Sequence, residues 1–159
     1  MAAGKWKMYD DAKKNIANGL MDLDSDAFFI ALFLSTSNAN SLDVGTGLLA
    51  DLTNQVATAF GYTQATGGGT GKAVTLTVAE AAGVTTIDET TNPVWTASGG
   101  SITGRFAVIF DDTPAGDPLL CVCLLDTTPA DVTATDGNTL TITQSASGIL
   151  TFSGATTDA

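Results

Sequence analysis

The sequence predicts an all-β fold: a β-sandwich or jelly-roll-like single domain with an extended N-terminal arm and one or two short helices. Three observations carry this expectation. Short apolar runs, several of them alternating with a period of two, recur through the second half of the chain. Clusters of Gly, Pro, Asp and Asn separate them at intervals of about 8–15 residues. No helical pattern alternates with the strands to supply crossovers between parallel neighbours.

The chain has 159 residues, the length of one ordinary domain, and enough to bury a core without disulfide or metal staples. The reading divides it into an arm with a short helical turn (1–20), a β-domain (21–153) and a fraying C-terminus (154–159). No internal repeat is visible. Along residues 1–9, Trp6, Met8 and Tyr9 are interleaved with Lys5 and Lys7. Residues 10–21 allow one or two helical turns, with Asp10 or Asp11 at the N-terminus and Gly19 at the C-cap. The run AFFIALFL (27–34) is apolar on both faces, which fits a strand buried in a sandwich interior. A polar loop follows at 35–47, then a possible short helix at 48–56. The stretch 60–71 reads as a flexible glycine-rich loop. Strands are expected at 72–78, 93–97, 102–110, 119–125, 139–143 and 149–152, with turns at Gly99-Gly100, 111–118 and 136–138.

Charged residues make up only 14% of the chain, against about 25% in an average protein, so its polar surface comes largely from Thr, Ser, Asn and Gly. The net charge of −11 repels nucleic-acid phosphates and anionic lipid, which argues against either as a partner. That charge is unevenly spread. Lys5, Lys7, Lys13 and Lys14 outweigh Asp10 and Asp11 in the first 14 residues, whereas the remainder sets only Lys72 and Arg105 against 15 acids. A basic segment on an acidic body can dock on an acidic partner or on another copy of the body; equally, four lysines can simply solubilise a terminus. Cys121 and Cys123, two apart in a strand, are badly placed to bridge and read as reduced, buried side chains, in keeping with synthesis in a cytoplasm. The start of the chain lacks a secretory h-region, and the longest apolar run, eight residues, is far short of a membrane span, so a soluble protein is expected.

Catalytic motifs fare poorly. The sequence contains no histidine, which removes Ser-His-Asp and Cys-His nucleophilic chemistry and the commonest metal ligand. GGGTGK (67–72) departs from a phosphate-binding loop at Thr66 and Ala73 and leads into a strand instead of a helix. Asp22, Asp24 and Asp26 resemble the start of a calcium-binding loop, but Ala27 and Phe33 stand where that loop requires Gly and Glu. They, and Asp111, Asp112 and Asp117, read either as weak cation sites or as solvated turns. With 17 acids and no flanking signature, no carboxylate pair stands out for glycoside hydrolysis. An acidic-residue hydrolase is therefore the least favoured class. No catalytic residue, metal or cofactor is assigned. Trp95 reads as core. Lys5, Trp6, Lys7, Met8, Tyr9, Lys13 and Lys14 are the candidate contact residues, with Trp6 as an aromatic anchor among cations.

Three blocks carry a family resemblance: KWKMYDDAKKNIANGLMDLDSDAFFIALFLSTSNAN (5–40), DLTNQVATAFGYT (51–63) and VWTASGGSITGRFAVIFDDT (94–113). Together they resemble tailed-bacteriophage virion proteins, most closely head decoration (cement) proteins. The resemblance implies a non-enzymatic component of the outer capsid surface, made in the host bacterial cytoplasm. Its expected partners are the major capsid protein, whose neighbouring subunits it would clamp, and further copies of itself in a dimer or trimer. A tail or host-recognition module that binds glycan through loops such as 60–71 is the alternative.

Overall fold

The computed structural model describes residues 4–128, 130–144 and 147–154. Their strands are β1 (Lys7–Met8), β2 (Phe28–Phe33), β3 (Lys72–Val74), β4 (Leu76–Ala81), β5 (Val84–Glu89), β6 (Val94–Thr96), β7 (Ile102–Gly104), β8 (Phe106–Asp111), β9 (Leu119–Leu124), β10 (Val132–Ala134), β11 (Thr139–Thr141) and β12 (Leu150–Ser153). One helix, α1 (Asp10–Ala17), and a single 3-10 turn at Leu49–Asp51 join them. Strand takes 38% of the described residues and helix 7%, so the fold is mainly β, as the sequence reading expects.

The runs without a polar position lie at the centre. A five-stranded antiparallel sheet has the order β1-β9-β8-β2-β3. All six residues of β8 are buried, as are five of the six in both β2 and β9. Both faces of these strands are covered, which is why their sequences do not alternate. Each fully buried Leu, Ile or Phe here contributes roughly 1.5–3 kcal/mol of apolar transfer. The remaining strands form small antiparallel sheets, β12-β5-β4, β10-β7 and β11-β6. Ile87, Trp95, Ile102 and Leu140 from these sheets enter the same hydrophobic cluster as Phe33, Val108 and Leu120.

Two segments expected as single strands are each broken in two. Residues 72–78 divide at Thr75: β3 pairs with β2, while β4 leaves to pair with β5. Residues 102–110 divide at Arg105. Its backbone N–H bonds Phe33 O at 2.7 Å, and its C=O accepts from Leu125 at 3.0 Å. Its guanidinium donates to the carbonyls of Thr128 and Ala130. β7 therefore serves β10, and β8 serves the central sheet. The helix expected over 48–56 is only the 3-10 turn, stopped where Leu52 turns extended and Asn54 takes a positive φ of 55°. In its place the Asp51 carboxylate ties the backbone N–H of Thr46 and Leu48.

The N-terminal segment expected as an extended arm is bound to the β-domain. Gly4 N donates to Leu124 O at 2.8 Å, and Lys7 and Met8 pair with Val122 and Cys121 as the edge of the central sheet. Tyr9 is 1% exposed and its hydroxyl donates to Ala39 O at 2.7 Å. Burial, followed by the neighbouring Cys121, raises this phenol well above its usual titration range. Residues 4–9 are part of the fold itself. The fraying expected for 154–159 concerns, apart from Gly154, residues outside those described.

Candidate interaction surface

Alternation along the edge strand sorts the predicted contact residues. Lys5 and Lys7 are exposed, whereas Trp6 and Met8 are half-buried and pack on the core. Tyr9 is wholly internal and serves the fold, with no surface to offer a partner. On α1, Lys13 and Lys14 are exposed, and Lys13 pairs with Asp10 at 2.8 Å. This exposed i,i+3 pair contributes little to stability. The structure thus fixes four outward-facing ammonium groups on ordered backbone.

Trp6 is anchored by a polar relay. Its indole Nε1 donates to Gln144 Oε1 at 2.8 Å, and Gln144 Nε2 donates to Glu89 Oε2 at 3.2 Å. Glu89 is only 2% exposed. The backbone N–H groups of Thr91 and Asn92, together with the Thr91 hydroxyl, complete its donors, which is what a buried carboxylate requires. Beside this relay runs a groove of about 960 Å³, lined by Lys5, Trp6, Leu140, Ile142, Gln144 and Leu150. Sequence reasoning found Lys5 and Trp6 but not the opposite wall, since that wall comes from strands more than 130 residues away in the chain.

A second surface went unpredicted. Val78 is 40% exposed and Phe152 39%. They line a shallow cleft of about 600 Å³ with Ile16, Met21 and Leu23, rimmed by Asp22 and Asp24. The alternation in 72–78 places Val78 on the same face as Leu76, but only Leu76 is buried.

The acidic turns are brought together. Asp112 N donates to Ala27 O at 2.8 Å, and Ala27 N donates to Thr113 Oγ1 at 2.8 Å, so the segment before β2 lies against the β8–β9 turn. The glycine loop joins them. Gly69 N donates to Asp112 Oδ2 at 2.6 Å, and Gly67, with φ 76°, sits so close to Asp117 that a Cβ would collide with its carboxylate. The loop closes on itself through Thr66 N and Thr70 Oγ1 at 2.7 Å. It is a folded turn leading into β3, so the phosphate-loop reading fails on geometry as well as on spacing.

Among the described residues, no group of three or more His, Cys, Asp or Glu side chains is placed to hold a metal ion. Cys121 and Cys123 are free and buried. Burial pushes the Cys123 thiol up to about 11, and burial followed by its neighbour Cys123 pushes the Cys121 thiol well above its usual range. Neither is poised as a thiolate nucleophile. No helix is long and apolar enough to cross a membrane among the described residues. No protein-family model matches the chain, and no curated protein or solved structure matches it significantly.

Proposed function

We propose that this chain is a non-enzymatic structural protein of a tailed-bacteriophage particle, a head decoration protein that clamps neighbouring major capsid subunits and acts with further copies of itself. One observation carries the reading: four lysines of the basic segment face outward from backbone that β9 and the core already hold. Such cations meet an acidic partner without first ordering a loose tail, which lowers the entropic cost of binding. A Thr-rich surface with few charges can be covered by a neighbour with little desolvation of ions. Many copies on a shell turn weak individual contacts into firm attachment. The family resemblance supplies the particle and the partner.

Deleting residues 1–14 would remove β1, Tyr9 and Ala12 and with them part of the core. Charge reversal at the four exposed lysines leaves every buried side chain in place. The quadruple variant Lys5→Glu, Lys7→Glu, Lys13→Glu, Lys14→Glu is expected to retain the wild-type circular dichroism spectrum. Its occupancy on undecorated heads should fall at least about tenfold, a loss of roughly 1.4 kcal/mol or more. Undiminished occupancy sinks the lysine-docking mechanism.

The second reading, a tail or host-recognition module that binds glycan, is favoured by the groove itself, whose lining combines Trp6 with the hydroxyl-bearing Thr141 and Thr143. Binding of the purified protein to host cells but not to emptied heads would select it.

A further inference from the structure

The place where the two acidic turns meet contains carboxyl groups directly facing other carboxyl groups. Asp111, the last residue of β8, has no solvent exposure. Its Oδ1 accepts from Thr113 N at 2.9 Å, whereas its Oδ2 is buried with no donor group to bond. The side chains within hydrogen-bond reach of its carboxyl are Asp26, which raises it, and the hydroxyl of Thr113, which donates and lowers it. One residue on, Asp112 Oδ1 is likewise buried without a donor, and Asp117 lies within hydrogen-bond reach of that side chain. Two facing carboxylates repel strongly where water is scarce, and the contact becomes a hydrogen bond only when one of them carries a proton.

We propose that this edge is a proton-dependent clasp, in which Asp26 with Asp111 and Asp112 with Asp117 each share one proton. While the protons are bound, the clasp fastens the 22–27 turn, the 66–71 glycine loop and the 111–118 turn to the end of β8; their loss opens it. The surrounding charges deepen the effect. Asp22, whose N–H donates to Asp26 Oδ2 at 2.7 Å, and Asp24 are the other titratable groups of the segment before β2. The glycine loop carries no titratable residue. The one cation on the adjoining strands, Lys72 of β3, lies over the Trp95 ring, 6.0 Å from its centroid. Among the described residues, no group of three or more His, Cys, Asp or Glu side chains is placed there to hold a metal ion.

The sign of the pH dependence follows. Burial first, then the facing Asp26, raises the Asp111 carboxyl from 3.8 to about 7. Burial and Asp112 likewise raise that of Asp117. A raised folded-state value means the native protein binds the proton more tightly than the unfolded chain. The stabilisation is therefore complete below about pH 4 and is lost as pH rises to about 7. The unfolding constant should increase by up to about tenfold per pH unit across that window as Asp111 gives up its proton, with Asp117 adding a change of the same sign. Asp22 and Asp51, whose carboxyls are lowered chiefly by backbone N–H donors, give the opposite trend, confined to pH below about 4.

The test is urea unfolding of the whole chain between about pH 4 and pH 8, for wild type, Asp26→Asn, Asp111→Asn and, as an equal charge change outside the pairs, Asp24→Asn. An asparagine in place of either partner supplies a permanent N–H donor. The wild-type and Asp24→Asn midpoints should fall as pH rises, while those of Asp26→Asn and Asp111→Asn should fall markedly less. A wild-type slope that persists in both pair variants overturns the clasp. So does a wild-type midpoint that calcium chloride restores at about pH 8 while leaving Asp111→Asn unmoved, since the occupant would then be a cation and not a proton.

Discussion

Tyr9→Ala is expected to destabilise the protein by about 3–5 kcal/mol, the range for truncating a buried aromatic side chain. Such a loss is a large share of the 5–15 kcal/mol that holds a typical domain together. Tyr9 sits at the joint between the edge strand β1 and helix α1, where three attachments meet. Its ring is in the core, its backbone N–H donates to Leu120 O at 3.1 Å, and its hydroxyl bonds Ala39 O at 2.7 Å. Tyr9→Phe separates the parts. It keeps the packing but leaves the Ala39 carbonyl without its donor, and should cost about 1–3 kcal/mol. Chemical denaturation of the two variants checks both values. If Tyr9→Ala loses less than about 1 kcal/mol, the N-terminal segment is a loose arm after all.

The second large effect lies at the centre of the sheet. Phe110 is fully buried, pairs with Phe29 across β8 and β2, and stacks on it at 6.1 Å between centroids. Phe110→Ala opens a cavity that flanking strands cannot fill without breaking register, so a loss of about 3–5 kcal/mol is expected. Phe152→Ala, on an exposed edge of β12, should change stability by less than about 1 kcal/mol. The contrast matters for function. A phenylalanine that adds little to the fold yet stands beside exposed Val78 belongs to a surface able to be covered by another molecule.

These two residues also mark what the sequence could and could not disclose. The β8 and β9 strands are legible because continuous apolar runs bounded by turn residues have few other uses. β5 is not, since its apolar content is Val84 and Ile87 among Thr, Asp and Glu, and its Glu89 is buried through partners as distant as Gln144. The break at Thr75 is hidden because the period-two pattern runs through it unchanged while the strand changes partners. Arg105 interrupts its strand through bonds to Phe33 and Leu125, which no local pattern contains. At the surface, Lys5, Lys7, Lys13 and Lys14 were visible as a run of cations. Tyr9 was misassigned, because aromatic residues beside lysines look alike whether they face a partner or the chain's own core. The acidic edge was seen as two separate turns. Their meeting depends on contacts between residues about 85 apart, such as Ala27 with Thr113.

Attachment to the outer shell of a capsid is the claim on which the functional account stands, and electron microscopy of the particle carrying this protein addresses it most directly. The account predicts density for the β-domain on the outer head surface, bridging adjacent capsid subunits, with Lys5, Lys7, Lys13 and Lys14 turned toward the shell. Density confined to the tail, or lysines facing away from every neighbour, would contradict it.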